Sequence, residues 1–304
     1  MRYYLYSAAL ILLAIILTTS LPYLTDFAQS TFIGYQIPQN NSAVAGVQIY
    51  NIPPAEGNLP VPVLSARAIL VKDLATDTIL YQKGSSTSYP IASTTKIMTA
   101  LVASEYFKPD SVLTVGDAAG VEGSKMGLIK GENLNFTSLL YGMLLPSGND
   151  AAFTIAENYP GGVLGFVSAM NKKAKELNLA NTHFDNPAGF DSPNHFSTAK
   201  DLAVITEEAL KNDQLARIFS TKETNIVSLD GKYKYDLFNL NKLLSEVKGV
   251  LGVKTGFTDL AKENLVTLVS RGGHRIVTVV LGSDDRFGES TKLIEWVYAN
   301  FQWP

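Results

Sequence analysis

The chain has no cysteine and only three histidines, and these two shortages exclude several kinds of site. Without cysteine there is no disulfide bond, no cysteine nucleophile and no zinc site built on thiolates. His183, His195 and His274 do not form the His-Glu-x-x-His pattern of a zinc peptidase. The sequence therefore predicts no histidine-rich metal site.

Charged residues are also scarce, at 17% of 304 residues, and the formal net charge is −3. No run or stripe of lysine and arginine is present, whereas surfaces that bind nucleic acids usually cluster basic residues. We therefore expect no nucleic-acid partner. Hydrophobic residues make up 46% of the chain, enough for a sizeable core in one large domain or two modest ones.

The first 25 residues form a long apolar run. The stretch from Tyr3 to Thr25 carries no charge and is long enough to span a bilayer as a helix. No small-x-small cleavage site follows closely, which favours an N-terminal transmembrane anchor (1–25) over a cleaved signal peptide, although both readings remain open. Arg2 before the run and Asp26 after it predict that the rest of the chain lies outside the cytoplasmic membrane, or is secreted if the segment is cleaved.

The remainder divides by composition into a linker and a domain. Residues 26–64 are rich in Gln, Asn, Pro and Gly and predict a flexible linker. Residues 65–304 read as a strand hairpin, a helical block, three apolar β-branched strands and a closing helix. This order predicts an α+β domain in which both ends share one antiparallel sheet. The predicted helices cover residues 93–106, 137–145, 150–158, 162–177, 198–211 and 288–301.

Three short motifs carry the candidate chemistry: Ser93-Thr-Thr-Lys96, Ser147-Gly-Asn149 and Lys254-Thr255-Gly256. Serine acyl-transferases of the β-lactamase and penicillin-binding kind use a trio of this form. Each motif alone is weak, because Ser-x-x-Lys also begins at Ser197 and at Ser245. Only the trio that starts at Ser93 has the expected order, with a helical block between its first and last members.

The surroundings of Ser93 support this choice. Ser93 begins a helical run, where free N–H groups and the positive end of the helix dipole suit an oxyanion. Lys96 follows one turn later on the same face of the helix. The plainer alternative, in which Ser93 is only an N-cap, stays open on this motif alone.

The blocks PIASTTKIMTALVA, LLYGMLLPSGNDAA and GVKTGFT resemble the three signature blocks of the serine-type D-Ala-D-Ala carboxypeptidases, the low-molecular-mass penicillin-binding proteins. The likeness runs from about Ala66 to Leu281. It implies a β-lactamase/transpeptidase-like α+β fold, with an antiparallel sheet flanked by helices and a mainly helical subdomain. It also implies removal of the terminal D-alanine from peptidoglycan stem peptides through an acyl-enzyme.

The resemblance also implies roles for the residues of the first two motifs. Ser93 is the expected acyl-ester nucleophile, and Lys96 is the expected proton acceptor. Lys96 must be neutral to act, and burial together with a nearby cation would favour that form. Ser147 is expected to pass a proton to the leaving amine, and Asn149 to hold the substrate carbonyl and orient Lys96.

The third motif is expected to bind the substrate. Lys254, Thr255 and Gly256 are placed to receive the terminal carboxylate of the stem peptide or of a β-lactam inhibitor. The backbone N–H groups of Phe257 and Ser93 would form the oxyanion hole. No metal ion or organic cofactor is required. The expected partners are a stem peptide ending in D-Ala-D-Ala, β-lactam antibiotics, and the membrane through the N-terminal helix.

Two other functions use the same fold, a class A-like β-lactamase and a non-catalytic wall-binding module. A class A-like β-lactamase uses a glutamate in a Glu-x-x-Leu-Asn pattern after the second motif, whereas the nearest sequence here, Glu132-Asn-Leu-Asn135, precedes it. A non-catalytic wall-binding module on the same fold would not need all three motifs to be complete. The sequence therefore favours the carboxypeptidase.

Overall fold

The computed structural model describes residues 59–303. The predicted anchor, residues 1–25, and the predicted linker up to residue 58 lie outside the described residues. Within the described range, no helix is both long enough and apolar enough to cross a bilayer. At the start of that range the backbone N–H of Leu59 donates to Asn300 Oδ1 at 3.1 Å, so this end of the predicted linker touches the domain.

The strands come in one large sheet and two small hairpins. They are β1 (Ala68–Asp73), β2 (Ile79–Lys83), β3 (Val112–Thr114), β4 (Asn133–Asn135), β5 (Glu223–Val227), β6 (Lys234–Phe238), β7 (Val250–Thr258), β8 (Lys262–Arg271) and β9 (His274–Ser283). The large sheet has the order β2-β1-β9-β8-β7 and is antiparallel throughout. The first hairpin thus joins the final meander through β1 and β9, which confirms the predicted α+β class.

Eight α-helices lie within the described residues. They are α1 (Lys96–Tyr106), α2 (Phe136–Leu144), α3 (Asn149–Glu157), α4 (Gly162–Glu176), α5 (Ala199–Ala209), α6 (Asp213–Ser220), α7 (Leu243–Glu246) and α8 (Arg286–Asn300). The six predicted helices correspond to six of them, with ends shifted by one or two residues at most positions, which is the usual uncertainty of a helix end.

Both faces of the large sheet are buried, which explains its nearly continuous apolar strands. On β1, Ala68 and Leu70 face the helical block, while Ile69 and Val71 face the closing helix α8. The alternation follows from the two-residue period of a strand. Burying both faces favours uninterrupted Val, Ile and Leu rather than alternation with polar residues.

The sequence did not predict the β5–β6 hairpin or helix α6. β5 (ETNIV) contains the poor strand former Asn225 and has no clear apolar pattern. β6 (KYDLF) does alternate, with Tyr235 and Leu237 buried, but at five residues it is too short to stand out. Helix α6 did carry a signal: the Asn212 side chain accepts the N–H groups of residues 214 and 215, as an N-cap does.

Candidate active site

Ser93 lies in a short 3-10 turn, Ala92–Thr95, that leads directly into α1. Ala92 has a φ of +47°, in the left-handed region that costs an alanine roughly 1–3 kcal/mol. Gly189 packs against this turn so closely that a Cβ on it would lie 1.9 Å from the Ala92 carbonyl oxygen. Such strain persists only where the surroundings hold it, so the residue before the candidate nucleophile is tightly constrained.

Lys96 reaches three acceptors. Its Nζ lies 2.9 Å from Ser93 Oγ, 2.7 Å from Asn149 Oδ1 and 2.8 Å from the Ala188 carbonyl oxygen. The Asn149 amide has a fixed orientation, because its Nδ2 donates to the Glu122 carbonyl at 2.8 Å. The last two acceptors cannot donate a proton, so a neutral amine must give them its two N–H bonds and direct its lone pair at the Ser93 hydroxyl.

Burial favours that neutral amine. Lys96 is fully buried, and burial lowers its pKa well below the usual range for lysine, with a further lowering from the charge of Lys254. The negative charge of Asp150 raises the pKa of Lys96, but this carboxylate bonds to backbone N–H groups rather than to the amine. Its carboxylate accepts the backbone N–H groups of residues 126, 127 and 128 at 2.8, 2.7 and 3.0 Å.

The second motif presents an unsatisfied hydroxyl. Ser147 is 3% exposed, and its Oγ has no hydrogen-bond partner among residues 59–303. Its φ of +63° is again unusual for a residue other than glycine. Asn149 begins α3, and its backbone N–H donates to the Ser124 carbonyl at 2.7 Å. A buried polar atom without a partner calls for an explanation, and this hydroxyl lies two residues before Asn149, whose side chain accepts from Lys96.

The third motif lies in β7, the edge strand of the large sheet. Lys254 and Thr255 are buried, and burial together with the charge of Arg286 lowers the pKa of Lys254 to about 7. Gly256 allows β7 to approach the nucleophile, since a Cβ there would lie 3.1 Å from the Ser93 nitrogen. Phe257 is exposed, so the end of the strand opens to solvent.

Arg286, the first residue of α8, is a member of this site that the sequence reasoning missed. Its Nη1 donates to the Gly256 carbonyl at 2.9 Å, and its Nε is buried without a partner among the described residues. Arg286 therefore adds a second cation beside Lys254. No local motif marks it, because the contact exists only after β7 and the start of α8 come together.

The other two Ser-x-x-Lys sequences and the β-lactamase-like glutamate do not belong to this site. The Ser197 hydroxyl pairs with Thr182 Oγ1 at 2.7 Å, and Ser245 is exposed. Glu132, the nearest match to a β-lactamase glutamate, accepts the hydroxyl of Tyr235 at 2.6 Å and the N–H of Ile129 at 2.8 Å. The structure thus brings Ser93, Lys96, Asn149 and the backbone of Gly256 together, one or more from each selected motif. Ser197 and Glu132 bond to other partners, and Ser245 lies on the surface.

A serine hydroxyl beside a buried amine, with two cationic side chains nearby, suits acyl transfer from a substrate that ends in a carboxylate. A model of the family described as D-alanyl-D-alanine carboxypeptidase matches residues 57–285. The chain belongs to the D-alanyl-D-alanine carboxypeptidase family. As a family member it is 35% identical over 246 residues to D-alanyl-D-alanine carboxypeptidase DacF of Bacillus subtilis, an alignment covering 78% of this chain and 63% of that relative.

Two further proteins are similar to this member of the carboxypeptidase family over most of its length. D-alanyl-D-alanine carboxypeptidase DacC of Escherichia coli is 33% identical over 82% of this chain and 65% of its own length. The crystal structure of the Streptomyces K15 DD-transpeptidase is 33% identical with a TM-score of 0.75, over 79% of this chain and 100% of that chain. The chain therefore spans somewhat less than two thirds of the length of the first two relatives and all of the crystallised chain of the third.

Proposed function

We propose that this protein is a serine D-Ala-D-Ala carboxypeptidase that removes the terminal D-alanine from peptidoglycan stem peptides. The observation that carries the proposal is the position of Lys96, whose buried Nζ lies 2.9 Å from Ser93 Oγ. Two acceptors that cannot donate, on Asn149 and Ala188, hold the amine there. This arrangement supplies a base to a serine without a histidine.

Acylation follows from this geometry. The Lys96 amine takes the proton of the Ser93 hydroxyl as Oγ bonds to the carbonyl carbon of the penultimate D-alanine. The C–N bond to the last D-alanine then breaks, and the proton passes from Lys96 to the leaving amine, with the Ser147 hydroxyl as the relay. Water finally hydrolyses the Ser93 ester and releases the shortened peptide.

The substrate's terminal carboxylate is proposed to lie at β7. Lys254 and Arg286 supply positive charge there, and Thr255 supplies a hydroxyl. The backbone N–H groups of Phe257 and Ser93 are proposed to hold the oxyanion, a contribution of typically about 3 kcal/mol for each donor. β7 is an edge strand, so the peptide backbone can add to it as a further strand.

Release of D-alanine tests the substrate class. With a tripeptide that ends in D-Ala-D-Ala, the full chain is expected to release D-alanine, which a D-amino-acid oxidase assay detects. With the matched peptide that ends in L-Ala-L-Ala, release of L-alanine is followed by mass spectrometry, because the oxidase does not act on the L isomer. It should be at least about a hundredfold slower, since the inverted centres do not align the carbonyl with Ser93 in the same way.

Benzylpenicillin separates the remaining alternatives in the same preparation. A lasting covalent adduct together with D-alanine release supports the carboxypeptidase. Rapid hydrolysis of penicillin without a lasting adduct would favour the class A-like β-lactamase. Folded protein that neither hydrolyses nor retains either compound would leave the non-catalytic wall-binding module.

We also propose that residues 1–25 anchor the protein in the cytoplasmic membrane, with the domain in the cell envelope. The support is the uncharged stretch from Tyr3 to Thr25, preceded by Arg2. An anchored protein should stay in the membrane fraction after a salt wash and keep its N-terminal mass. Release into the medium with that segment missing would identify a signal peptide instead.

A further inference from the structure

His195 is a buried histidine to which the proposed chemistry assigns no role. It is 2% exposed, and burial lowers its pKa to about 4, so the ring is neutral at physiological pH. Its Nδ1 accepts the backbone N–H of Asp185 at 3.1 Å, and the Asn186 amide lies 3.3 Å from the same atom. A neutral ring whose Nδ1 accepts must carry its proton on Nε2.

That Nε2 proton points at Thr95. The two atoms, His195 Nε2 and Thr95 Oγ1, are 2.7 Å apart, and both side chains are buried. Thr95 Oγ1 in turn donates to the Ala92 carbonyl at 2.7 Å. The hydrogen bonds therefore run in one direction, from the Asp185 N–H through the imidazole and the threonine hydroxyl to the carbonyl just before the nucleophile.

Ala92 is the residue that needs such support. Its left-handed backbone is strained, and its carbonyl belongs to the peptide group whose nitrogen is that of Ser93. A rotation of this peptide would move both the Ser93 hydroxyl and the Ser93 N–H. The same segment that carries His195 also supplies the Ala188 carbonyl to Lys96, and the Pro187 carbonyl to Thr99 Oγ1 at 2.7 Å.

We propose that His195 is a positioning residue, which acts through the Thr95 hydroxyl to hold the Ala92–Ser93 peptide in the orientation that acylation requires. The role rests on the proposed function, since it presumes that Ser93 is the nucleophile. The hydrogen bonds of the His195 ring go to Thr95, Asp185 and Asn186 and not to Ser93. Its effect is therefore expected on the rate of acylation rather than on substrate binding.

The plain alternative is a histidine that only fills the core. Its ring packs edge-on against Phe184, with centroids 5.7 Å apart. A side chain that merely fills space would tolerate loss of the Thr95 hydroxyl, because valine has nearly the shape of threonine. Replacing Thr95 therefore separates the two roles without disturbing the ring.

The experiment measures the second-order rate constant of acylation by benzylpenicillin in the full chain. Thr95→Val is expected to lower it roughly 10- to 100-fold, as for a small misplacement of a reacting group, whereas Thr95→Ser should keep it close to wild type. Thr206→Val is the matched control. Thr206 is also buried, and its hydroxyl donates to the Leu202 carbonyl in its own helix at 2.7 Å.

A second pair of variants tests the histidine itself. His195→Gln can still donate to Thr95 and should recover most of the acylation rate that His195→Leu loses. In the double variant of His195→Leu and Thr95→Val, the two losses should not add, because both break one chain of hydrogen bonds. The dissociation constant of the non-covalent complex with benzylpenicillin, taken from the concentration dependence of acylation, and the shape of the pH profile should stay as in the wild type.

Two results would overturn the role. One is wild-type acylation by folded Thr95→Val. The other is fully additive losses together with equal deficits in His195→Gln and His195→Leu, as expected of a core-filling residue. Failure of the proposed function looks different: the wild-type protein itself would then take no acyl group from penicillin, or would take one and release no D-alanine from the peptide.

Discussion

Replacing Ser93 with alanine is expected to abolish both the covalent adduct with benzylpenicillin and the release of D-alanine. No other hydroxyl is within hydrogen-bonding distance of Lys96 in the described part of the chain. The loss should exceed about ten-thousand-fold, as when the nucleophile of a serine hydrolase is removed. Ser93 is half-buried, and within residues 59–303 its hydroxyl bonds to Lys96 alone, so the variant should fold normally.

Intact-mass spectrometry of the full chain after exposure to penicillin makes this measurement. Ser245→Ala is the matched control, because Ser245 begins another Ser-x-x-Lys sequence but is exposed. That variant should acquire the adduct at the wild-type rate. An adduct that survives in Ser93→Ala would place the nucleophile at another residue and remove the basis for the proposed mechanism.

The relative positions of Ser93 and Lys96 were predictable because the spacing of the motif alone determines them once the segment is helical. Residues three apart on a helical turn lie on one side of it, so a Ser-x-x-Lys sequence at a helix start places the amine near the hydroxyl. The 3-10 turn before α1 keeps that relation. The choice among the three such sequences in the chain, however, needed the order of the other motifs and the family likeness.

The groups that restrain Lys96 were not predictable in the same way. Ala188 contributes a backbone carbonyl, which every residue possesses, so no residue type can mark it. Ala92 and Ser147 adopt positive φ angles that local sequence does not favour, and the packing of neighbouring segments imposes them. Only the tertiary structure contains this information.

Arg286 was not predictable because it reaches the site only through the pairing of distant strands. It lies 30 residues after Gly256, to whose carbonyl it donates, and the two meet because β8 and β9 return the chain to the end of β7. The meander itself was predicted from its apolar, β-branched strands. The register that brings this arginine to that carbonyl depends on pairings that alternation alone does not specify, including an irregularity between residues 263 and 265.

The same substitution at two buried lysines should have opposite consequences. Lys96→Arg is expected to lower acylation by roughly 10²–10⁴-fold, the usual contribution of a general base, because a guanidinium does not give up its proton. Lys254→Arg should keep activity at pH 7 within about tenfold, because a lasting positive charge is what a carboxylate site needs. Both lysines are buried, so the cost of fitting the larger side chain is comparable.

The pH dependence of kcat/KM distinguishes the two roles further. Lys254 must be charged to bind the carboxylate, and its pKa of about 7 means that the free enzyme loses this charge as the pH rises through that value. Wild-type kcat/KM should therefore fall on the alkaline side, and Lys254→Arg should extend activity to higher pH. Lys96 must be neutral, so activity should fall on the acid side as the pH drops through its lowered pKa.

A fall of kcat/KM at acid pH that persists in an active Lys96→Arg would contradict the base role, since nothing at position 96 could then titrate. If the fall of kcat/KM at alkaline pH is unchanged in Lys254→Arg, another group causes it, and Lys254 does not bind the carboxylate through its charge.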